Sequence, residues 1–422
     1  MKLKKLLSLA LVGAMTLGLA ACGGNTDTPS NNDAGNNNGD TGKIQEVKLV
    51  VWGAEEDQTM LKEMCDAFAE ANKDKVKLTV ELGVQSESNC KDTVMADVEV
   101  AADLYSFPND QLADLVAAGA LLEVPKDQFG DVWTRNTSGS VAAGSVGDKL
   151  YAFPRTADNG YFLFYNKEYF SESDIASWDA MLAAAQKAGK KVTMEMNSGW
   201  YTFGFFRAAG LNTSVDNGNT ICDYNSKTNK YKGVDVAQAL LDIAKNPGFI
   251  ATEDAEFVTG IKDGSIIAGI NGTWNATAAQ EAWGDNYAAA KLPTFKCAGD
   301  DLQMYSVTGC KLIGVNPNCD NAAWALKLAD WLTNEQNQVK SFELRGNGPS
   351  NINAAASDAV QANVALVAFS AQQKWAEVQY VGNNYWTPME TFGQILQDGN
   401  PENKDLQELL DNAVAGVTAP IG

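Results

Sequence analysis

The sequence predicts an α/β protein of two lobes, each a mostly parallel sheet flanked by helices. Its 422 residues are 45% apolar, which is ample chain for two hydrophobic cores. Strand-like segments alternate with helix-like segments in the first part of the chain. Residues 149–167 (KLYAFPRTADNGYFLFYNK) then place a polar segment between two apolar, aromatic strands. That arrangement is expected where a chain passes from one lobe into another.

The first lobe begins with three predicted strands, at residues 47–52 (VKLVVW), 76–81 (VKLTVE) and 103–107 (DLYSF). A helix is predicted between the first two, at residues 58–72. The apolar residues that share one face of that helix are Leu61, Met64, Cys65 and Phe68. Strands that alternate with helices favour parallel pairing, and ligands of such sheets bind beyond the carboxyl ends of the strands.

Two strand-to-helix loops of this lobe combine aromatic and acidic residues. The first strand ends in Trp52 and leads into Glu55, Glu56 and Asp57. The third strand ends in Phe107 and is followed by Pro108, Asn109 and Asp110. Asn109 or Asp110 can instead cap the next helix, and the acids can simply be solvated.

The segment between residues 150–154 and 161–165 has two interpretations. Both flanks have strand-like composition, and the polar part ends in Asp158-Asn159-Gly160, which favours a tight turn. The segment is therefore either a crossing between lobes or an ordinary hairpin.

The second lobe repeats the combination of a strand followed by aromatic residues. A helix at 175–187 precedes a strand at 191–196, after which come Trp200 and Tyr201. A buried strand at 264–269 is followed by Asn271-Gly272-Thr273-Trp274. A core helix is predicted at 322–332, and a later helix begins at Tyr385 and Trp386, with Pro388 in its first turn and Glu390 one turn on.

Residues 1–21 are predicted to be a targeting segment rather than part of the fold. Lys2, Lys4 and Lys5 precede an apolar stretch too short to span a membrane. The stretch ends in Leu19-Ala20-Ala21-Cys22, which resembles a bacterial lipobox and implies cleavage before Cys22 and lipidation of its sulfur. The alternative is a plain signal peptide with an incidental cysteine. Residues 22–43, rich in Asn, Gly, Asp and Thr, are expected to form a disordered linker.

Composition excludes several classes of function. The net charge is −21, and loss of residues 1–21, which hold three lysines and no acids, makes it −24. Nucleic acid and anionic membrane surfaces are poor partners for such a chain. The chain has no histidine, so Ser-His-Asp catalysis and histidine metal sites are excluded. Besides Cys22 there are six cysteines without Cys-x-x-Cys spacing, which predicts neither a metal nor a cofactor and leaves disulfide pairing open.

The order of these segments resembles the extracellular solute-binding proteins of the maltose and oligosaccharide type. The resemblance covers residues 47–417 and rests on the hinge strands ending in Phe-Pro and Tyr-Asn-Lys, on Asn-Gly-x-Trp at 271–274, on Leu-Pro-Thr-Phe at 292–295 and on the aromatic pair at 385–386. It implies a periplasmic-binding-protein-like fold whose lobes are joined by a hinge of several crossings. Lobe 1 would comprise residues 44–156 and 300–348, and lobe 2 residues 157–299 and 349–422.

The resemblance also implies which residues hold a ligand. Aromatic rings would pack on pyranose faces, and acids would accept hydrogen bonds from hydroxyls. The implied ligand-binding residues are Trp52, Glu55, Glu56, Asp57, Phe107, Asp110, Asn159, Trp200, Tyr201, Trp274, Tyr385, Trp386 and Glu390. Asn159 and Ser198 stand where some relatives carry acids, so the resemblance does not specify which sugar is bound.

The implied function is that of a receptor without catalytic activity or cofactor. The protein would be a monomer held on the outer face of a bacterial cytoplasmic membrane by the lipid on Cys22 alone. It would capture an oligosaccharide, in the first place a malto-oligosaccharide, and deliver it to the permease of an ABC importer. Two alternatives stay open: a receptor of the same fold for another oligosaccharide, a polyol or a peptide, and a surface glycoside hydrolase, which needs only two carboxylates.

Overall fold

The computed structural model describes residues 44–216 and 219–420. The predicted signal segment, Cys22 and the linker that ends at residue 43 lie outside the described residues.

The secondary structure follows the predicted alternation closely. The strands are β1 (Gln45–Gly53), β2 (Val76–Val84), β3 (Leu104–Pro108), β4 (Ser145–Val146), β5 (Lys149–Leu150), β6 (Ala152–Pro154), β7 (Tyr161–Asn166), β8 (Lys191–Thr193), β9 (Thr213–Asp216), β10 (Asn219–Cys222), β11 (Phe249–Ile250), β12 (Ile266–Gly272), β13 (Tyr287–Ala290), β14 (Thr294–Cys297), β15 (Asp300–Gln303), β16 (Ser306–Val307), β17 (Lys311–Val315) and β18 (Ala376–Glu377). The helices are α1 (Gln58–Ala71), α2 (Cys90–Ala96), α3 (Leu112–Ala117), α4 (Lys126–Phe129), α5 (Val132–Arg135), α6 (Ser138–Ala143), α7 (Trp178–Ala188), α8 (Gly199–Ala208), α9 (Gly233–Lys245), α10 (Asp254–Asp263), α11 (Ala276–Trp283), α12 (Ala322–Leu332), α13 (Glu335–Arg345), α14 (Ile352–Ala355), α15 (Asp358–Gln361), α16 (Val364–Gln372), α17 (Trp386–Gln397) and α18 (Leu406–Val417).

The first sheet has five strands in the order β2-β1-β3-β17-β6. β1 is parallel to β2 and β3, whereas β17 is antiparallel to β3 and to β6. Four strands therefore run in one direction, as the sequence predicts, and β17 runs against them. The reversal arises because β6 leaves this sheet towards the hinge and β17 enters it from the hinge.

The second sheet also has five strands, in the order β11-β8-β12-β7-β13. β8 is parallel to β11 and β12, whereas β7 is antiparallel to β12 and β13. Here the reversed strand is β7, which arrives from the first sheet. Each sheet thus consists of strands built within its own lobe and one strand delivered through the hinge.

Each sheet has its own hydrophobic core. Around the first sheet, Leu49, Phe153 and Ile313 are almost completely buried and pack with residues of α1 and α12. Around the second, Leu163 and Trp178 are completely buried among residues of α7, α8, α9 and α17. We call the parts of the chain around these sheets lobe 1 and lobe 2. The fold is the predicted two-lobe α/β fold.

The polar segment at 155–160 is a crossing between the lobes. β6 belongs to the first sheet and β7 to the second, so the hairpin interpretation is wrong. Two other crossings lie beside it, since the backbone nitrogen of Ala157 donates to the carbonyl of Gly348 at 2.8 Å and that of Asn159 to Gly309 at 3.2 Å. These hydrogen bonds hold the three crossings together as one hinge.

The lobe boundaries stay predictions, and the packing favours a later second crossing than residues 299–300. Phe295, Met304 and Val307 are still part of the lobe 2 core, whereas Cys310 and Leu312 belong to a lobe 1 cluster. The Leu-Pro-Thr-Phe segment therefore lies within lobe 2, where β14 forms a hairpin with β15.

Candidate ligand-binding cleft

A cleft of about 890 Å³ opens between the lobes. Its lobe 1 wall comes from the loops that follow β1, β2 and β3, with Lys311 and Asn159 at the hinge. Its lobe 2 wall comes from the segments that follow β8, β11 and β12, and from the start of α17. The parallel strands of both sheets therefore end at the cleft, which is where α/β sheets bind their ligands.

Nine of the thirteen predicted ligand-binding residues line this cleft. They are Glu55, Glu56, Asp110, Asn159, Trp200, Tyr201, Trp274, Trp386 and Glu390. Their presence on one surface is a matter of geometry, and their role in binding remains a prediction.

The aromatic residues of the cleft come from lobe 2. The rings of Trp200 and Trp274 lie with their centroids 5.8 Å apart, and Trp200 packs edge-on against the buried Tyr161 at 4.7 Å. Trp386, at the first position of α17, packs edge-on against Tyr385 at 5.3 Å. Trp200, Trp274 and Trp386 are each partly exposed. Three indole rings are thus held by neighbouring rings while part of each remains accessible from the cleft.

The structure does not bring four of the predicted residues to the cleft. Phe107 is completely buried in a lobe 1 cluster, and Tyr385 is completely buried with its hydroxyl donating to the carbonyl of Gly199 at 2.9 Å. Neither ring has a free face for a ligand. Trp52 packs over Gly83 on the neighbouring strand, and Asp57 is buried in ion pairs. Tyr385 and Asp57 instead support residues or loops that do line the cleft.

The polar residues of the lobe 1 wall differ in how freely they can meet a ligand. Glu55 and Glu56 are exposed. The side chain of Asp110 is accessible from the cleft. The protein that surrounds its carboxyl nevertheless removes water from it, and this desolvation raises its pKa. Asp110 does not cap a helix through its side chain. Lys91 is paired with Asp114 at 3.1 Å and also donates to Asn383 of the later part of the chain.

A buried ion-pair network, which the sequence did not reveal, lies under the lobe 1 wall. Arg155, from the first crossing, pairs with Asp57 and with Glu87 at 2.9 Å. Lys311 pairs with the other oxygen of Glu87 at 2.6 Å, and Arg345 with Asp57 at 3.1 Å. The side chains of Arg155, Asp57 and Glu87 are each less than 10% exposed. The network joins the loops after β1 and β2 to the first crossing, through Arg155, and to residues that border the other two, Lys311 and Arg345.

The network keeps its carboxylates ionised despite their burial. Burial opposes the ionisation of Asp57, but the charges of Arg155, Lys311 and Arg345 outweigh it and lower its pKa to about 2. The pKa of Glu87 is also lowered, because Lys311 and Arg155 outweigh its burial. Lys311 extends the network across the cleft, since its ammonium lies 5.5 Å from the ring centroid of Trp274.

Acidic residues crowd the lobe 2 wall. Burial, together with the charges of Asp254, Glu253 and Glu390, raises the pKa of Glu195 to about 7. These four acids line the cleft, whereas the two lysines that line it are paired with lobe 1 acids. Because the pKa of Glu195 is close to neutral, its carboxyl is partly protonated at pH 7 and can both donate and accept hydrogen bonds.

Glu195→Gln is expected to make stability less dependent on pH. The folded carboxyl keeps its proton up to a pH of about 7, against about 4.5 in the unfolded chain. Between these values the folded state binds more protons, so the free energy of unfolding of the wild type falls as pH rises. Thermal unfolding of both proteins at pH 5 and at pH 7.5 measures this. An identical decline in both proteins would show that Glu195 does not titrate in this range.

Several cleft residues escaped the sequence-based prediction. Glu87, Lys91 and Asp254 stand in polar segments without any motif, and nothing in their surroundings marks them. Arg155, Glu195 and Lys311 could have been noticed, because each is a charged residue directly after, within or at the start of an otherwise apolar strand segment. Within 44–216 and 219–420, no group of three or more Cys, Asp and Glu residues is placed to hold a metal ion.

A family profile described as a bacterial extracellular solute-binding protein matches residues 63–368. The chain belongs to the bacterial extracellular solute-binding proteins. A comparison with curated protein sequences returns no match. Among the helices of the described residues, none is long and apolar enough to cross a membrane.

Solved structures of other solute-binding proteins share the fold. One, determined with acarbose, is 31% identical with a TM-score of 0.80, and the match covers 88% of this chain and 99% of that chain. The maltodextrin-binding protein MalE1 from L. casei BL23 is 22% identical with a TM-score of 0.73, covering 89% and 100%. The Thermus thermophilus maltotriose-binding protein bound with maltotriose is 21% identical with a TM-score of 0.75, covering 89% and 100%. Family and neighbours are binding proteins, and this solute-binding protein is a receptor of the same fold.

Proposed function

We propose that this solute-binding protein captures an oligosaccharide, in the first place a malto-oligosaccharide, between its two lobes. The observation that carries the proposal is the set of three partly exposed indoles, Trp200, Trp274 and Trp386, lining one cleft. The face of an indole suits the apolar C–H side of a pyranose, and three such rings offer room for more than one sugar unit.

The polar groups of the cleft suit a neutral, hydroxyl-rich ligand. Carboxylates such as Glu55, Glu56 and Glu390 accept hydrogen bonds from sugar hydroxyls, and Asn159 can both donate and accept. Among the described residues that line the cleft, an anionic sugar would meet many acids and, as cations, only Lys91 and Lys311, which are already paired. The charge of the cleft therefore supports a neutral ligand over an acidic one.

The neighbours support the same class of ligand. The neighbour at 31% identity was solved with acarbose, a compound built like a short malto-oligosaccharide. The maltotriose complex, at 21% identity, supports the fold and adds an example of this ligand class on it. Glu55, Glu56, Asp110, Asn159, Trp200, Tyr201, Trp274, Trp386 and Glu390 are the residues proposed to contact the sugar.

The proposal includes delivery to a transporter. A monomer would close its lobes on the sugar by bending at the three crossings and would present the closed form to the permease of an ABC importer. A lipid on Cys22 would hold it at the outer face of the cytoplasmic membrane, with residues 22–43 as the linker. Partition of the wild type, but not of Cys22→Ala, into a detergent phase would support the lipid anchor.

Calorimetric titration of the protein from Lys43 onward with maltotriose, and with longer malto-oligosaccharides, tests the ligand. We expect binding at micromolar concentrations or below, with no shorter sugars produced over the time of the experiment. Shortened products would instead indicate a glycoside hydrolase. Absence of heat with every malto-oligosaccharide would reject this sugar class, and a panel of other glycans, polyols and peptides would then identify the ligand.

A further inference from the structure

The indole of Trp274 is held by contacts with Gly272, Trp200 and Asp254, and the ammonium of Lys311 lies 5.5 Å from its ring centroid. Gly272 lies against the ring so closely that a Cβ at this position would sit 2.0 Å from Trp274 Cζ3. Trp200 packs against the ring with a centroid distance of 5.8 Å. The ring nitrogen, Nε1, donates to the carboxylate of Asp254 at 3.1 Å. Gly272 is required because any side chain there would displace the ring.

Asp254 receives more than this one hydrogen bond. Its Oδ1 accepts from Asn271 Nδ2 at 2.9 Å and from Asn275 Nδ2 at 2.9 Å, while its Oδ2 accepts from the indole. Both asparagines are buried, and Asn275 also donates to Asn271 Oδ1 at 3.0 Å. We call Asp254, Asn271, Trp274 and Asn275 the Asp254 network. The two asparagine amides hold the carboxylate in place, and the carboxylate holds the indole.

The Asp254 network explains why asparagines stand at both ends of the segment Asn-Gly-x-Trp-Asn at 271–275. Its two asparagines do not need to contact a ligand, because their side-chain amides are used to hold Asp254. Asp254 itself is the first residue of α10, where the helix dipole favours a negative charge. The chain thus brings a carboxylate from the start of α10 to the ring nitrogen of a tryptophan twenty positions further on.

We propose that Asp254 is a positioning residue, which sets the orientation of Trp274 and leaves only the face of that ring for the ligand. The indole N–H is already used by the carboxylate, so Trp274 contributes stacking and no hydrogen bond to the sugar. The backbone of residues 271–275, which carries Trp274, is held by contacts that do not involve Asp254. Thr273 donates to the buried Asp158 at 2.7 Å, and Asn271 Oδ1 accepts from the backbone of Gly272 at 2.8 Å. Loss of the Asp254 carboxylate therefore frees the ring more than the turn.

The first test needs no ligand. In ¹⁵N-labelled protein, Trp274→Phe identifies the indole N–H resonance of Trp274. We expect Asp254→Ala to shift that resonance upfield and to speed its exchange with solvent. Asp254→Asn, whose side-chain oxygen can still accept one hydrogen bond, is expected to restore it in part, which also covers the case in which Asp254→Ala does not fold. Asp263→Asn, which removes a carboxylate at the far end of α10, is the matched control. An unchanged Trp274 resonance in both Asp254 variants would overturn the proposal.

The second test uses maltotriose and rests on the proposed function. Asp254→Ala is expected to weaken binding about tenfold, as for the loss of a hydrogen bond to a charged group. The double variant Asp254→Ala/Trp274→Ala should bind as Trp274→Ala alone, because Asp254 acts through the ring. If the loss of binding free energy in the double variant equalled the sum of the losses in the two single variants, Asp254 would contact the sugar itself and would not be a positioning residue. If the wild type binds no maltotriose, the proposed ligand fails while the resonance test still decides the role of Asp254.

Discussion

Replacing Trp274 with alanine is expected to weaken maltotriose binding roughly 30-fold, which corresponds to about 2 kcal/mol for an aromatic residue at the centre of a binding surface. Trp386→Ala is expected to have a similar effect. Both rings are partly exposed in the cleft and held by neighbouring aromatic rings, so each presents a rigid face at little entropic cost. Isothermal titration with maltotriose gives the change for each variant.

A matched control is available at Trp375. It is also a partly exposed tryptophan, contacted by the ammonium groups of Lys291 and Lys374, and it does not line the cleft. Trp375→Ala should leave maltotriose affinity unchanged. Unchanged affinity in Trp274→Ala and Trp386→Ala together would reject this cleft wall as the sugar site, although not the fold.

Arg155→Met is expected to have the largest effect on stability, a loss of about 3 to 5 kcal/mol in the free energy of unfolding. Methionine fills most of the space of arginine but provides no charge. Asp57 and Glu87 would then be left buried with fewer cations, namely Arg345 for one and Lys311 for the other. Urea-induced unfolding of wild type and variant at pH 7 measures the difference.

The difference in free energy of unfolding between wild type and Arg155→Met should be smaller at low pH than at pH 7. The pKa of Asp57 is lowered in the folded protein to about 2, so its stabilising contribution is present at neutral pH and is lost as pH falls towards 2. The gap between wild type and Arg155→Met should narrow over that range. Lys62→Met, which breaks an exposed pair with Asp66, is the control and should cost about 0.5 kcal/mol or less. A similar small cost for Arg155→Met would mean that the network does not hold the hinge.

Local patterns carried much of the fold prediction. The helical spacing of Leu61, Met64, Cys65 and Phe68 corresponds to α1, whose buried face holds those residues. The predicted helix at 322–332 is α12 (Ala322–Leu332). These patterns are reliable because an amphipathic helix is decided by residues three and four positions apart. The crossing at 155–160 was less secure, since its local sequence also fits a hairpin and only the partners of β6 and β7 distinguish the two.

The candidate site was predictable in part for the same reason. Trp200, Trp274 and Trp386 each follow a strand or begin a helix, and those positions place them at the cleft. Phe107 shows the limit of this reasoning. It stands at the end of β3, yet strand alternation and packing against the later strand β17 turn its ring into the core. Exposure depends on the neighbours on the sheet, which sequence spacing does not specify.

The sequence by itself determined the two-lobe α/β architecture, the segments that end at the cleft and the aromatic character of one wall. Only the tertiary structure decided which charged side chains form ion pairs. Arg155 reaches Glu87 across 68 positions of the chain, and Arg345 reaches Asp57 across 288. The indole of Trp274 likewise depends on a carboxylate at the start of α10. Periodicity and turn signals act over a few residues, whereas ion pairs, raised pKa values and ring orientations arise from groups that only folding brings together.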